Sequence, residues 1–192
     1  MLILASKSPR RNELLHMVGV EFTCIPAVSE EKVPADLPVS RRAEFLARHK
    51  ALEVAEAHPE DVVIGSDTLV LLDGKALGKP GNVQEAEEMI RALSGRTHVV
   101  STGVAICSPE GIQSFTSETE VEFYELTDAE IRAYAATGEP MDKAGGYGIQ
   151  GLGSMLVKGI RGDYFTVVGF PLAEVIRHLP EEYRPFGKAI TE

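Results

Sequence analysis

Val62-Val63-Ile64-Gly65-Ser66-Asp67-Thr68 is the stretch on which the fold turns. A short apolar run that closes on a small residue, a hydroxyl and a carboxylate reads as a buried strand. A carboxylate just past the end of such a strand lies on the rim of a sheet, where α/β proteins place their ligands. Taken by itself, an Asp in this position is ordinarily a turn residue. The segments on either side decide between that reading and a chemical one.

Upstream, Ser40 opens a helical pattern that ends near His58-Pro59, with Ala43, Leu46, Ala47, Lys50, Val54 and Ala57 on one stripe. Lys50 is the one charge in that stripe. Downstream, Thr68 to Leu72 and Lys75-Ala76-Leu77 flank Asp73-Gly74, a pair suited to a type I′ hairpin turn. Asn82 with Glu85 and Thr127 with Glu130 are starts of the capping-box kind for two helices, closed by Gly95 and Gly138. Thr97 to Ser108 and Ile112 to Glu125 read as a strand pair about the turn Pro109-Glu110-Gly111. At the N-terminal end, Leu2 to Ala5 reads as a strand, Ser8-Pro9 as the start of a helix stopped by Gly19, and Glu21 to Pro26 as a second strand. Leu156 to Ile160 reads as a strand and Pro171 starts a last helix through His178. Alternating strands and helices with an antiparallel pair between them predict an α/β fold with a mixed twisted β-sheet flanked by helices.

The chain has 192 residues, enough for one domain with its own core, and a single domain over 1–192 is expected, with 180–192 fraying. Its formal charge of −10 argues against nucleic-acid polymers and anionic membranes as partners. Cys24 and Cys107 offer neither a disulfide framework nor metal-site spacing, so reduced, buried thiols in a cytoplasmic protein are expected. The N-terminal apolar run is too short for a signal peptide, and no run is long enough to span a bilayer.

Four polar loops are candidates for chemistry. Ser6-Lys7-Ser8-Pro9-Arg10-Arg11 joins a buried strand to a helix N-terminus, where backbone N–H groups and the helix dipole favour an anion. Cations are unfavourable at that end unless an anion compensates them, so Lys7, Arg10 and Arg11 beside the Ser6 and Ser8 hydroxyls suit a phosphate chain as well as they suit a solvated basic turn. Asp67 and the acidic pair Glu30-Glu31 would bind Mg²⁺ if they converged, and such a cation polarises phosphorus; an acidic loop by itself is more often a solvated face. Lys79, in Gly78-Lys79-Pro80, and Lys50 would offset phosphate charge, against the commoner cases of a surface lysine and a snorkelling stem. In Asp142-Lys143-Ala144-Gly145-Gly146-Tyr147-Gly148-Ile149-Gln150-Gly151, glycines permit close backbone approach, Tyr147 could stack on a base, and Gln150 offers both donor and acceptor to a base edge. A flexible turn is the plainer account of that loop taken alone. The chain has no P-loop, no strand-linked G-x-G-x-x-G and no zinc-type histidine spacing.

Together these loops resemble the Maf family of nucleoside triphosphate pyrophosphatases. The resemblance runs from Leu4-Ala5-Ser6-Lys7-Ser8-Pro9-Arg10-Arg11 through Gly65-Ser66-Asp67-Thr68, Gly78-Lys79-Pro80, Leu93-Ser94-Gly95-Arg96-Thr97-His98, Thr102-Gly103-Val104 and the Asp142 to Gly151 loop to Gly169-Phe170-Pro171-Leu172. It implies an inosine triphosphate pyrophosphatase-like fold, a divalent cation (Mg²⁺ or Mn²⁺), and hydrolysis of a nucleoside triphosphate to monophosphate and pyrophosphate. The Asp-Lys-Ala-Gly-x-Tyr-Gly-Ile-Gln pattern is similar to the branch that acts on dTTP and UTP, canonical or modified. The resemblance implies Asp67 as proton acceptor and Arg10, Thr68 and Gln150 as setting base preference, with Glu30, Lys50 and Lys79 at further polar positions of the site. Val28-Ser29-Glu30-Glu31 stands where the family often has Ile-Asp-Glu, which leaves Glu30 and Glu31 both open as the partner of Asp67 on the metal. A homodimer is implied as well. Two alternatives stay beside this reading: a nucleotide-binding regulator of cell division with little turnover, and a pyrophosphatase for a modified purine nucleotide such as 7-methyl-GTP.

Overall fold

A computed structural model describes residues 1–29 and 32–189. Its strands are β1 (Leu2–Leu4), β2 (Thr23–Cys24), β3 (Val62–Leu72), β4 (Lys75–Leu77), β5 (Thr97–Ser108), β6 (Gly111–Phe123) and β7 (Val157–Arg161). They form one mixed, twisted sheet in the order β2-β1-β3-β5-β6-β7, with β4 paired to β3. The helices are α1 (Pro9–Met17), α2 (Val39–Ala57), α3 (Val83–Leu93), α4 (Asp128–Ala136), α5 (Tyr164–Val168) and α6 (Leu172–His178). None of the described helices is long and apolar enough to cross a membrane. The chain divides into two compact units, with β3, β5 and β6 contributing to both.

The first unit comprises Met1–Asp67, Thr102–Ser117 and the chain from Gly169 onward. Here β1 pairs in parallel with β3, Leu2 opposite Val62 and Leu4 opposite Ile64, and in parallel with β2 through Ile3 and Leu4. The core gathers Ile3, Ala5, Val63, Ala105 and Cys107 from the strands with Ala47, Ala51 and Val54 of α2. The helix comes unusually close to the sheet because both surfaces are shaved to small residues. A Cβ on Gly65 would stand 2.7 Å from the Ala51 backbone nitrogen, and one on Gly103 would overlap the backbone of Ala43 and Glu44. The buried stripe of α2 is therefore Ala43, Ala47, Ala51 and Val54, rotated from the expected one, and Ala57 is exposed. The helix also starts one residue earlier than Ser40. Pro38 is its cap, and the Pro38 carbonyl accepts from the Arg41 N–H at 2.9 Å.

Three further expectations change in this unit. β2 spans only Thr23–Cys24, and β1, its sheet partner among the described residues, is itself three residues long. Cys24 is exposed rather than buried. Most consequential, Val62 to Ser66 is not a complete strand, because β3 continues through Asp67 to Leu72. The rim at Asp67 arises because β1 stops at Leu4, not because β3 ends.

The second unit comprises Thr68–Ser101 and Glu118–Val168. The hairpin from β3 to β4 turns on Asp73 and Gly74, with φ of 51° and 72°, as a type I′ turn requires. Asn82 caps α3 by accepting from the Glu85 N–H at 2.9 Å, and Thr127 with Glu130 forms a complete capping box on α4. The core comprises Val70, Leu72, Ile90, Leu93, Val100, Val121, Phe123, Ile131, Tyr134, Tyr147 and Leu156. β7 lies one residue later than expected, where a register shift at Glu122/Phe123 offsets its pairing with β6. The glycine-rich segment is built from three 3₁₀ turns, Glu139–Asp142, Ala144–Gly146 and Gly151–Leu156. α5 spans five residues, too few to carry a readable helical period.

Candidate active site

In the first unit, the parallel register that sets Leu4 opposite Ile64 brings the chain leaving β1 alongside Ser66 and Asp67 of β3. The Ala5 N–H donates to the Ile64 carbonyl at 2.8 Å, the last such link before the two segments part. The loop that follows is internally tied. The buried Ser6 hydroxyl accepts from the Ser8 N–H at 3.1 Å and from the Arg11 guanidinium at 3.2 Å. Arg11 Nε donates to the Gly169 carbonyl at 2.8 Å, and Ser66 Oγ donates to the same carbonyl at 3.3 Å. The Ser6 carbonyl accepts from the Cys24 thiol at 3.0 Å. Loop, strand end and the Gly169 turn are thus one hydrogen-bonded piece.

α2 delivers Lys50 to this rim. Its ammonium donates to Asp67 Oδ1, linking residues 17 apart in sequence. Both side chains are partly covered, at 31% and 18% exposure, so water screens the pair only in part. Burial pushes the Arg11 guanidinium down to about 10, the Asp67 charge works against that shift and Arg10 adds to it. Arg11 therefore stays cationic at neutral pH. Lys7 is exposed, and Ser8 and Arg10 are half-buried. α1 has no acidic residue in its first turn, and the Ser8 side chain makes no cap bond there. The result is a local cationic surface on an acidic chain, with its uncapped first turn suited to an anion.

The remaining candidates belong to the second unit. Thr68 is half-buried on β3, Lys79 is exposed after β4, and Gln150 is exposed in the glycine-rich segment. The Gly145 N–H donates to the Gly78 carbonyl at 3.0 Å, which ties the Lys79 turn to that segment. Tyr147 does not offer itself to a base. It is 5% exposed, its hydroxyl lies 2.6 Å from His98 Nε2, and its ring packs edge-on against His98 and Phe123. Desolvation drives the Tyr147 phenol far above its ordinary range and lowers the His98 imidazole to about 4, so both are neutral in the core.

Among the described residues, no three His, Cys, Asp or Glu side chains converge as a standing metal site would need. Glu30 and Glu31 lie outside the described residues. Of the carboxylates expected to converge on a metal, Asp67 is the one among the described residues. That fits a cation held chiefly by substrate phosphates and water, with one or two carboxylates, as Mg²⁺ is commonly bound.

Residues 1–182 match the family described as Maf-like protein. The chain belongs to the Maf family. A Maf relative from Bacillus mycoides, named dTTP/UTP pyrophosphatase, is 51% identical over 180 residues, covering 94% of each chain. Another of the same name, from Bacillus cytotoxicus, is 49% identical over 184 residues, covering 93% of this chain and 94% of its own. A crystal structure of a nucleoside-triphosphatase, dITP/XTP pyrophosphatase, from Mycobacterium abscessus aligns at a TM-score of 0.48 with 15% identity, covering 91% of this chain and 90% of that one.

In this Maf chain, some roles rest on contacts that local sequence does not specify. Ser66 and the Gly169 carbonyl matter through contacts with residues far away in the chain. Glu139 stands at the head of the glycine-rich segment and reads as an ordinary surface acid beside Pro140, yet its carboxylate binds backbone on the far side of that segment.

Proposed function

We propose that this chain hydrolyses dTTP and UTP to the monophosphate and pyrophosphate, by attack of water on the α-phosphorus. The observation that carries the reading is the Lys50–Asp67 pair held beside the cation-rich loop that opens α1. The names of the relatives supply the substrate class.

Lys50 holds Asp67 Oδ1, and Asp67 Oδ2 is assigned to the attacking water. As the new P–O bond forms, the water proton passes to the Asp67 carboxylate. The bond from the α-phosphorus to the bridging oxygen breaks, and pyrophosphate leaves with that electron pair. Lys7, Arg10, Lys50 and Lys79 offset the negative charge of the triphosphate, with Ser6, Ser8 and the first turn of α1 as neutral donors. Arg11, engaged with Ser6 and Gly169, shapes the loop and adds its charge at short range. Asp67, with Glu30 as its proposed partner, would hold a Mg²⁺ or Mn²⁺ that arrives on the triphosphate; bound there it supplies charge neutralisation. Gln150 and Thr68 are assigned to the base, since the Gln150 amide can both donate to and accept from the imide edge shared by thymine and uracil.

The test is pyrophosphate release from each nucleoside triphosphate and from 7-methyl-GTP, with Mg²⁺ and with Mn²⁺. dTTP and UTP are expected to lead. Asp67→Asn is expected to lower kcat by about 100- to 10,000-fold, the range for losing a general base. Undiminished turnover in that variant would remove Asp67 from the chemistry.

A further inference from the structure

The segment proposed to read the base is held by one carboxylate at its own head. Glu139 Oε1 accepts from the Gly153 N–H at 2.8 Å, and Oε2 accepts from the Leu152 N–H at 3.0 Å. The Tyr134 hydroxyl donates to Glu139 Oε1 at 3.0 Å and accepts from the Gly148 N–H at 3.4 Å. Tyr134 is itself anchored, 5% exposed in the core of its unit. Gln150 is thus bracketed. The backbone two residues before it hangs on Tyr134, and the backbone two and three residues after it hangs on Glu139. Bonds from amides to a carboxylate are charge-assisted and stronger than those between neutral groups.

The glycines are shaped to this arrangement. Gly151, at φ 70°, is the turn between Gln150 and the two bound amides, and a Cβ there would stand 2.9 Å from Glu139 Oε2. Lys143 braces the same acid from behind, its ammonium donating to the Glu139 carbonyl at 2.7 Å. Gln150, by contrast, has an exposed side chain, so little besides its backbone fixes where its amide points. Specificity by hydrogen bonding requires the reading group to be held in place before the ligand arrives.

We infer that Glu139, acting with Tyr134, is a positioning residue for base recognition: it fixes the backbone on both sides of Gln150 and so sets the donor and acceptor presented to the pyrimidine. This rests on the reading of Gln150 given above. Glu139 touches neither phosphate nor water in this assignment, so its loss acts on recognition rather than on the bond broken.

The experiment measures kcat and KM for dTTP and for CTP, a pyrimidine without the imide edge, in wild type, Glu139→Ala, Glu139→Gln, Tyr134→Phe and Gln150→Ala. Glu139→Ala is expected to raise KM for dTTP about tenfold and to compress the dTTP-to-CTP preference, with kcat for dTTP changed by less than about threefold. Glu139→Gln keeps one acceptor and is expected to fall between. Tyr134→Phe keeps the core ring and moves the same quantities less. Should Glu139→Ala not fold, the other two variants carry the comparison. A fall in kcat with KM and preference unchanged, or no change beside a Gln150→Ala that does shift preference, would overturn the inference. If Gln150→Ala leaves preference untouched, the base-reading assignment itself fails. Amide exchange then judges the rest: faster exchange at 148–153 in Glu139→Ala retains the positioning of the loop, and unchanged exchange overturns it.

Discussion

The Lys50 ammonium reaches Asp67 Oδ1 because α2, with Ala47 and Ala51 on its buried face, lies close against the sheet at Gly65. One helical face thus supplies close packing and, three residues past Ala47, the cation that holds the acid.

Lys50→Met tests what that cation does. Partly exposed pairs contribute about 0–1 kcal/mol to stability, so melting is expected to change little. Activity is expected to fall about 10- to 1,000-fold, the scale for losing one preorganised electrostatic group. The double variant Lys50→Met/Asp67→Asn is expected to lose less than the product of the two single losses, since Lys50 acts in part through the Asp67 carboxylate and in part on the triphosphate. Steady-state kinetics on the four proteins checks this. Multiplicative losses would mean that Lys50 works independently of Asp67.

Gly103→Ala tests the close approach of α2. The added methyl meets backbone of Ala43 and Glu44, which cannot swing aside as a side chain can. Overpacking of this kind costs about 1–3 kcal/mol. Gly78→Ala, where nothing lies within 4 Å of the new Cβ, is expected to stay within about 0.5 kcal/mol. Urea unfolding of the two variants gives the comparison. Equal midpoints would show that the helix adjusts without cost.

His98 gives the chain an acid-side liability. It is 2% exposed, its Nε2 faces the Tyr147 hydroxyl, and its Nδ1 has no protein partner among the described residues. Burial lowers the imidazole from 6.5 to about 4 in the folded state. Above pH 6.5 it is neutral folded and unfolded, and its contribution is fully present. As pH falls from 6.5 toward 4 the unfolded chain takes up the proton first, so stability is lost across that window, by about 3 kcal/mol at the bottom. His98→Asn is expected to flatten this segment of the stability-against-pH curve relative to wild type. The difference between the two curves isolates His98 from carboxylates such as Asp61, Asp73 and Asp128, which their ion-pair partners hold low. Parallel curves between pH 6.5 and 4 would contradict the assignment.

Local chemistry was readable wherever a residue acts on its near neighbours. Thr127 with Glu130, Asn82 with Glu85, and Asp73-Gly74 all take the conformations their side chains and φ preferences dictate. What could not be read depends on which elements meet. Nothing in Val62 to Thr68 says that its neighbour β1 stops at Leu4, and it is that stop which opens the edge at Asp67. Tyr147 has the same composition cues as a stacking aromatic, and only the packing of His98 and Phe123 around it places it inside. Arg11 looked like its neighbours Lys7 and Arg10, yet Gly169, 158 residues away, takes its Nε.

The parallel pairing of β1 with β3 has a kinetic consequence. The cation-bearing loop follows one strand and Asp67 lies on the other, and no segment shorter than the whole stretch between them contains both. Closing so long a connection is entropically slow compared with forming α2 or the β3–β4 hairpin. During refolding, catalysis should return only after those local structures have formed, which makes turnover a late clock for docking of the first strand.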